Sequence, residues 1–198
     1  MTFDYPEARE HRRHGPQGYA NYSDHRPWLR DDFSFRCVYC LWRECWALNL
    51  GAFHLDHFQS QSRQPDRALD YENLFYACHS CNLAKGGRNV PDPFTALTAS
   101  GVKSLPDGTL EGTDPLSREI IDAMKLNSRD YVDKRILMMR VVELARERDP
   151  DVLKRLLGFP IDLPDLRSLK PPGGNTRPEG IADSWAVRAE RGTLPEYY

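Results

Sequence analysis

Two CxxC pairs constrain the fold of this chain more than any other feature of its sequence. Cys37-Val-Tyr-Cys40 and Cys78-His-Ser-Cys81 are separated by residues 41–77. A CxxC turn places two thiolates on one side of a tight loop, and two such loops complete a tetrahedral shell of four sulfurs suited to Zn²⁺. One pair alone would leave a redox site or buried free thiols open, whereas two pairs favour zinc. Because a closed shell has no open position, we expect a structural ion that joins the two ends of a small hairpin.

The fifth cysteine, Cys45, has no partner in this pattern. We expect it outside the metal shell, buried between Trp42 and Trp46. An odd number of cysteines is poor support for disulfides. His79 lies inside the second pair, and we expect its side chain to point away from the metal.

Length and composition set the broad class of the protein. The 198 residues are enough for one domain of ordinary size with extensions. No apolar stretch approaches the roughly 20 residues that span a bilayer, and the N-terminal sequence mixes acids with bases and has no apolar core. We therefore expect a cytoplasmic protein without a membrane partner. A formal net charge of −2 argues against a uniformly basic surface but is compatible with a local basic groove.

The sequence divides into four segments. Residues 1–30 are polar and predict an irregular N-terminal arm, and residues 31–93 hold the cysteines and the candidate catalytic residues. Residues 94–158 contain a Pro-Asp-Gly turn at 106–108 between short apolar strands, followed by helices. Residues 159–198 are rich in Pro and Gly and predict an extended tail, for which the sequence leaves docking and mobility open.

Three helices are predicted after the turn. Cap-and-proline signals place the first at 114–124 and the third at 149–158, and apolar periodicity places the second between about 127 and 148. Their apolar stripes are expected in the core. The stripe residues are Leu116, Ile120, Ile121, Met124, Val132, Ile136, Met139, Val142, Val152, Leu153, Leu156 and Leu157.

The region between and after the cysteine pairs predicts a compact hairpin with a helix. Residues 52–58 and 74–77 have the composition of strands, with a polar loop between them. Residues 79–86 predict a short helix that ends in a glycine cap. The predicted fold is α+β, with a small zinc-stapled finger of two strands and a helix packed on a helical C-terminal half.

Several residues of this region resemble a known family in order and spacing. They are Asp56-His57, then Asn73-Leu74, then Cys78-x2-Cys81-Asn82-x2-Lys85. This pattern resembles the HNH endonucleases and their ββα-metal finger over about residues 33–93. Residues 126–135 more weakly resemble the helical extension of some bacterial HNH proteins.

The resemblance implies a metal-dependent endonuclease that hydrolyses phosphodiester bonds in DNA, and it does not separate DNA from RNA. It implies His57 as the general base, oriented by Asn73 or by the backbone carbonyl of Asn73. It implies Asp56 and Asn82 as ligands of one catalytic divalent ion that acts as a Lewis acid. Asn82 stands where the family often has histidine, and its harder amide oxygen favours Mg²⁺ or Mn²⁺.

Three further residues are candidates for the site. His54 lies two residues before Asp56 on the same strand face, within reach of the metal or a phosphate. Lys85 and Arg88 are candidates for contacts with the nucleic-acid backbone. For each of the three, the alternative is an ordinary surface or packing residue.

Two other functions stay open at the level of sequence. One is a non-catalytic zinc module that binds nucleic acid or a protein partner. The other is a structural zinc knuckle in a larger assembly, with the helical half as the interface to a protein partner. The combination of His57 with Asn73 favours the nuclease, because a binding module has no need of it.

Overall fold

A computed structural model describes residues 2–7, 12–47 and 52–198. Its helices are α1 (Arg26–Asp32), α2 (His79–Lys85), α3 (Pro93–Ala96), α4 (Pro115–Ala123), α5 (Arg129–Arg148), α6 (Pro150–Leu157) and α7 (Trp185–Glu190). Its strands are β1 (Phe53–His57), β2 (Leu74–Cys78), β3 (Val102–Ser104) and β4 (Leu110–Gly112). Short 3-10 turns cover Tyr22–His25, Glu44–Trp46, Pro65–Arg67, Tyr71–Asn73, Leu166–Ser168 and Pro178–Asp183. Mixed helices and small antiparallel sheets confirm the predicted α+β class.

The first hairpin joins the two cysteine pairs. β1 and β2 run antiparallel, with Phe53 opposite Cys78 and His57 opposite Leu74. All five residues of β2 are buried, because α1 and α2 both pack on it. The helix α2 follows β2 directly and ends at Gly86, whose φ of +53° is readily adopted only by glycine. The predicted order of strand, loop, strand and glycine-capped helix is confirmed.

The second hairpin depends on one glycine. β3 and β4 run antiparallel on either side of the predicted turn, in which Gly108 has φ +79°. A Cβ on Gly108 would lie 2.6 Å from Cγ1 of Ile136 on α5, so a larger residue would collide with that helix. The side chain of Asn127 then bonds both the N–H and the carbonyl of Leu110, which ties β4 to the start of α5.

The helices α4, α5 and α6 begin where the sequence predicts. Asp114 and Ser117 form a capping box at α4, and the Asp149 carboxylate accepts a hydrogen bond from the N–H of Val152 at α6. The prediction of a buried stripe was wrong at Leu116, which is 50% exposed, and at Val152, which is 39% exposed. Both lie in the first turn of their helix, and periodicity fixes which face is apolar but not how far along the helix that face is covered.

Within the described residues, the core has one large and one small cluster. The large cluster surrounds the finger and includes side chains that are fully buried. Examples are Trp28, Tyr39, Phe53, Leu74 and Tyr76. The small cluster lies where α5 meets α6 and contains Val142, Ala145, Leu153 and Leu157.

Both ends of the chain contribute ordered structure. Residues 1 and 8–11 of the predicted arm lie outside the described part of the chain. The helix α1 begins inside the arm, which is therefore not irregular throughout. Seven residues are too few for a periodic signal to be reliable. Asp31 at the end of α1 is fully buried and accepts hydrogen bonds from His14 and from the N–H of Trp185. The C-terminal segment is therefore docked on the N-terminal one. Of the two alternatives that the sequence left open for residues 159–198, docking and mobility, the structure has docking.

No helix in the described residues is both long enough and apolar enough to span a bilayer.

Candidate metal centre and active site

The four cysteines of the two CxxC pairs form a buried cluster. Their Sγ atoms all lie within 4.8 Å of one another, and the Sγ atoms of Cys40 and Cys78 are 3.6 Å apart. Four sulfurs at about 2.3 Å from one zinc ion would lie about 3.8 Å from each other, so this spacing fits a tetrahedral shell. The site is therefore arranged for a metal ion of the structural zinc type, as the sequence predicts.

Backbone hydrogen bonds hold the first pair in its turn. The N–H of Leu41 donates to the carbonyl of Cys37, and Leu41 adopts a positive φ of 59°. The N–H of Val38 donates to the carbonyl of Tyr76, which fixes the turn to β2. Burial alone would raise the pKa of the Cys37 thiol, but hydrogen bonds from the other three cysteines outweigh it and lower that pKa. Burial raises the pKa of the Cys81 thiol in the same cluster, so the thiolate form of all four cysteines depends on a bound cation.

Helix α5 contacts the cysteine cluster directly. The hydroxyl of Tyr131 lies 3.1 Å from Sγ of Cys81.

Cys45 lies outside the cluster as predicted, but the prediction that it is buried was wrong, because its side chain is exposed. The turn Glu44–Trp46 instead directs the indole of Trp46 to the carbonyl of Leu156, at 2.7 Å.

Asp56 lies in a buried network next to the cysteine cluster. Its Oδ1 is 3.0 Å from Nζ of Lys85, and its Oδ2 accepts a hydrogen bond from the hydroxyl of Tyr39 at 2.7 Å. Lys85 is fully buried and also donates to the carbonyl of His57 at 2.6 Å. Burial raises the pKa of the Asp56 carboxyl, although the Lys85 ammonium and the Tyr39 hydroxyl act against that shift.

The burial of Lys85 corrects one prediction. The sequence suggested that Lys85 contacts the nucleic-acid backbone, but its side chain has no exposed surface and its charge is paired with Asp56. Arg88 is exposed three residues after the end of α2 and donates to the carbonyls of Ala84 and Lys85. Its contact with nucleic acid stays a prediction.

His57 is half-buried at the end of β1. Its Nε2 lies 2.9 Å from the carbonyl of Ala68 and 3.0 Å from the amide nitrogen of Gln61. The carbonyl favours a proton on Nε2, which leaves the lone pair on Nδ1, and the Gln61 amide would donate to Nε2 in the other tautomer. The ring of Tyr22 packs edge-on against the imidazole at 4.8 Å between centroids.

Asn73 is fully buried and organises the loop between the strands. Its amide donates to the carbonyls of Gln59 and Arg67, and its Oδ1 accepts from the N–H of Gln59. Its own carbonyl accepts from the N–H of Phe58. The sequence predicted that Asn73, or its backbone carbonyl, orients His57. The structure instead has Asn73 hold the loop whose residue Ala68 contacts His57.

Asn82 and His54 complete the set of predicted residues. Asn82 is half-buried and lies on α2 one turn after His79 and one turn before Lys85. His79 contacts His54 and Lys85 contacts Asp56, and the spacing of three residues places Asn82 on the same side of α2 as these two. The imidazoles of His54 and His79 are paired, with 3.1 Å between Nε2 and Nδ1. Burial, and then the neighbouring His79, lowers the pKa of His54.

Sequence reasoning missed several contacts of the site. Tyr39 lies inside the first CxxC pair, and Gln61 and Tyr22 both reach His57 from outside the strand. The position of Tyr39 between two predicted metal ligands was a usable signal. The contacts of Gln61 and Tyr22 depend on loop and arm conformations that no local pattern specifies.

Comparison with known proteins identifies the finger. The family described as HNH endonuclease matches residues 37–88, which begin at the first cysteine of the cluster and end three residues after α2. No curated protein matches the chain. The matched residues contain both cysteine pairs, Asp56 with His57, Asn73 and Asn82. Residues 37–88 thus match the HNH endonuclease family, and the four cysteines within them fit the variant with a zinc-type metal site.

Proposed function

We propose that this chain is a metal-dependent endonuclease that hydrolyses phosphodiester bonds in DNA, with His57 as its general base. The observation that carries the proposal is the position of His57. His57 follows the buried Asp56 on β1, and its half-buried ring has Nε2 at 2.9 Å from the carbonyl of Ala68. The HNH match supports the nuclease class.

The contacts of His57 suit it to gain a proton during the reaction. With the proton of the neutral ring on Nε2, Nδ1 takes a proton from water, and the water oxygen attacks phosphorus. The bond between phosphorus and the 3′ oxygen breaks, and that oxygen takes a proton from solvent. The imidazolium still donates through Nε2 to Ala68, so the carbonyl stabilises the charged ring.

We propose that Asp56 and Asn82 hold one divalent ion. A carboxylate offers about four acceptor positions, and Tyr39 and Lys85 occupy one on each oxygen of Asp56. The remaining positions fit a cation, and oxygen ligands favour Mg²⁺ or Mn²⁺. Such an ion supplies Lewis-acid stabilisation of the leaving oxygen when bound. Because Lys85 already neutralises Asp56, we expect weak binding by the protein alone and stronger binding with substrate phosphate.

We propose that the ion of the four-cysteine site is Zn²⁺ and that it is structural. Four sulfurs leave no open position for substrate or water. Elemental analysis of protein purified without chelator is expected to find zinc, bound in proportion to the protein. Protein that is folded and free of zinc would contradict the assignment.

One observation favours a second candidate, a non-catalytic zinc module that binds nucleic acid or protein. Both oxygens of Asp56 are bonded within the protein, as they would be if its role were only structural. In that case His57 has no proton to transfer, and its removal leaves every measurable property of the module nearly unchanged.

Cleavage of supercoiled plasmid in a panel of divalent ions tests the two candidates. We expect cleavage with Mg²⁺ or Mn²⁺, and a decrease of about 10²- to 10⁴-fold in rate for His57→Ala with DNA binding retained. The control is His79→Ala, which removes an exposed imidazole outside the proposed proton transfer. Equal rates for His57→Ala and wild type would reject the nuclease mechanism. Cleavage of an RNA of the same sequence, and not of the DNA, would change the substrate and leave the mechanism in place.

A further inference from the structure

We propose that Tyr39 is a positioning residue that links the four-cysteine site to Asp56 and thereby sets the affinity of the catalytic ion. The proposal rests on the proposed function, because it concerns the ion assigned there to Asp56 and Asn82. Tyr39 would then belong both to the Cys37–Cys40 turn and to the proposed active site.

Tyr39 is fixed at both ends. It lies between Cys37 and Cys40 in the turn, and its side chain has no exposed surface. Its hydroxyl donates to Oδ2 of Asp56 at 2.7 Å, and its backbone carbonyl accepts from the hydroxyl of Tyr5 at 2.6 Å. The direction of the Tyr39 hydroxyl is therefore set by the turn that the two cysteines form.

The hydroxyl of Tyr39 restricts the Asp56 carboxylate. Lys85 bonds Oδ1 from one side, and Tyr39 bonds Oδ2 from the other. Two donors to an ionised group, both buried, are strong hydrogen bonds that fix its rotation. They also decide which acceptor positions of the carboxylate remain for a cation. Without Tyr39 the carboxylate keeps one donor and can rotate, so the ion loses a pre-arranged ligand.

The same contact connects the geometry of the four-cysteine site with that of the proposed catalytic ion site. A metal ion on Cys37 and Cys40 fixes the turn, and Tyr39 is one of the two residues inside that turn. A change in the positions of these sulfurs moves Tyr39 and, through its hydroxyl, the carboxylate of Asp56. Partners that orient a metal ligand in this way typically contribute about 10- to 100-fold in metal affinity.

Tyr76 offers a matched control within the same finger. Its hydroxyl donates to Oε1 of Glu44 at 2.6 Å, and its side chain is fully buried, like that of Tyr39. Tyr39→Phe and Tyr76→Phe therefore remove the same chemical group, a buried hydroxyl that donates to a buried carboxylate. Only the first of these carboxylates is a proposed ligand of the catalytic ion.

The test measures Mn²⁺ binding to the full-length, zinc-loaded protein without DNA, by the loss of the free-ion electron paramagnetic resonance signal. We expect Tyr39→Phe to weaken Mn²⁺ binding by about 10- to 100-fold with zinc content retained. We expect Tyr76→Phe to leave Mn²⁺ binding near the wild-type value. Equal effects of the two variants, no effect of Tyr39→Phe, or no Mn²⁺ binding by wild type would overturn the proposal.

Two further measurements keep the outcome decisive. If Tyr39→Phe fails to hold zinc, Tyr5→Phe removes the bond to the Tyr39 carbonyl and leaves its hydroxyl in place. Weaker Mn²⁺ binding is again expected, by a smaller factor, and unchanged binding would overturn the coupling.

Plasmid cleavage separates the two proposals. Cleavage by wild type with unchanged Mn²⁺ affinity in Tyr39→Phe rejects the coupling alone. Mn²⁺ loss specific to Tyr39→Phe without any cleavage rejects the nuclease alone.

Discussion

Replacement of Lys85 by methionine should destabilise the whole protein, because it leaves a buried charge without its partner. The Lys85 side chain has no exposed surface, Asp56 is 4% exposed, and Nζ lies 3.0 Å from Oδ1. Methionine keeps most of the volume of the lysine stem but removes the ammonium. It also leaves the carbonyl of His57 without the donor that now lies at 2.6 Å.

The expected magnitude follows from the burial of the pair. Removal of one partner of a buried ion pair typically lowers the free energy of unfolding by about 3–5 kcal/mol. At about 2–4 °C per kcal/mol for a chain of this length, the melting temperature should fall by about 6–20 °C. A surface pair would contribute only about 0–1 kcal/mol, so the two cases are well separated.

The penalty should depend on pH with a definite sign. Burial already raises the pKa of Asp56 in the folded protein, and the loss of the Lys85 ammonium removes a factor that acts against this rise. An acid whose folded pKa is raised binds more protons in the folded state than in the unfolded state. Stability then falls as pH rises from the unfolded pKa through the folded pKa. The deficit of Lys85→Met should therefore be small at acid pH and full at neutral pH.

A double-mutant cycle tests this reasoning by thermal denaturation at constant zinc. Asp56→Asn removes the charge that Lys85→Met leaves unpaired, so the double variant should melt well above Lys85→Met alone. Mn²⁺ should also raise the melting temperature of Lys85→Met more than that of wild type, because the ion can replace the lost positive charge. The reasoning is refuted if Lys85→Met melts with wild type, or if the double variant melts no higher than Lys85→Met.

Two further predictions concern the four-cysteine site and the N-terminal region. Cys81→Ser should lower the melting temperature and the zinc content, because structural zinc is coupled to folding. His57→Ala should leave both nearly unchanged. Equal melting temperatures for the two variants would contradict the division into structural and catalytic groups. His25 lies between the rings of Tyr19 and Tyr71, and burial lowers its pKa. The unfolded state therefore binds more protons than the folded state. The free energy of unfolding should fall below pH about 6.5, by at most about 1.4 kcal/mol per pH unit. His25→Phe keeps the ring contacts and should reduce this fall in urea denaturation at successive pH values; an unchanged slope would show that His25 does not titrate in this way.

The features predicted from the sequence are those that short stretches of chain determine. The spacing of the cysteine pairs predicted a cluster whose sulfurs lie within 4.8 Å of one another. The Asp114 and Asp149 caps predicted helix starts, and Gly108 predicted a hairpin. In each case the physical cause lies within a few residues of the signal.

The features that escaped prediction depend on contacts between distant segments. Lys85 stands at the end of a short helix, where a charged side chain is usually solvated, and its burial follows from the position of Asp56 on β1. Arg12 is likewise buried, with its guanidinium over the rings of Phe33 and Tyr71. No local pattern predicts such a partner. The sequence left docking of the C-terminal segment open, because the contact of α7 with Asp31 on α1 also joins distant parts of the chain.

The contacts of Asn73 indicate why the finger uses an asparagine to order the loop between β1 and β2. The side chain makes two donor contacts, to the carbonyls of Gln59 and Arg67, and one acceptor contact, from the N–H of Gln59. An amide supplies both kinds of group, whereas an ionised aspartate would only accept and would face two carbonyl oxygens with a negative charge. A buried donor or acceptor without a partner is costly, so the loop conformation is tied to this one side chain. Because the same loop brings the carbonyl of Ala68 to His57, replacement of Asn73 is expected to disturb the surroundings of the proposed general base.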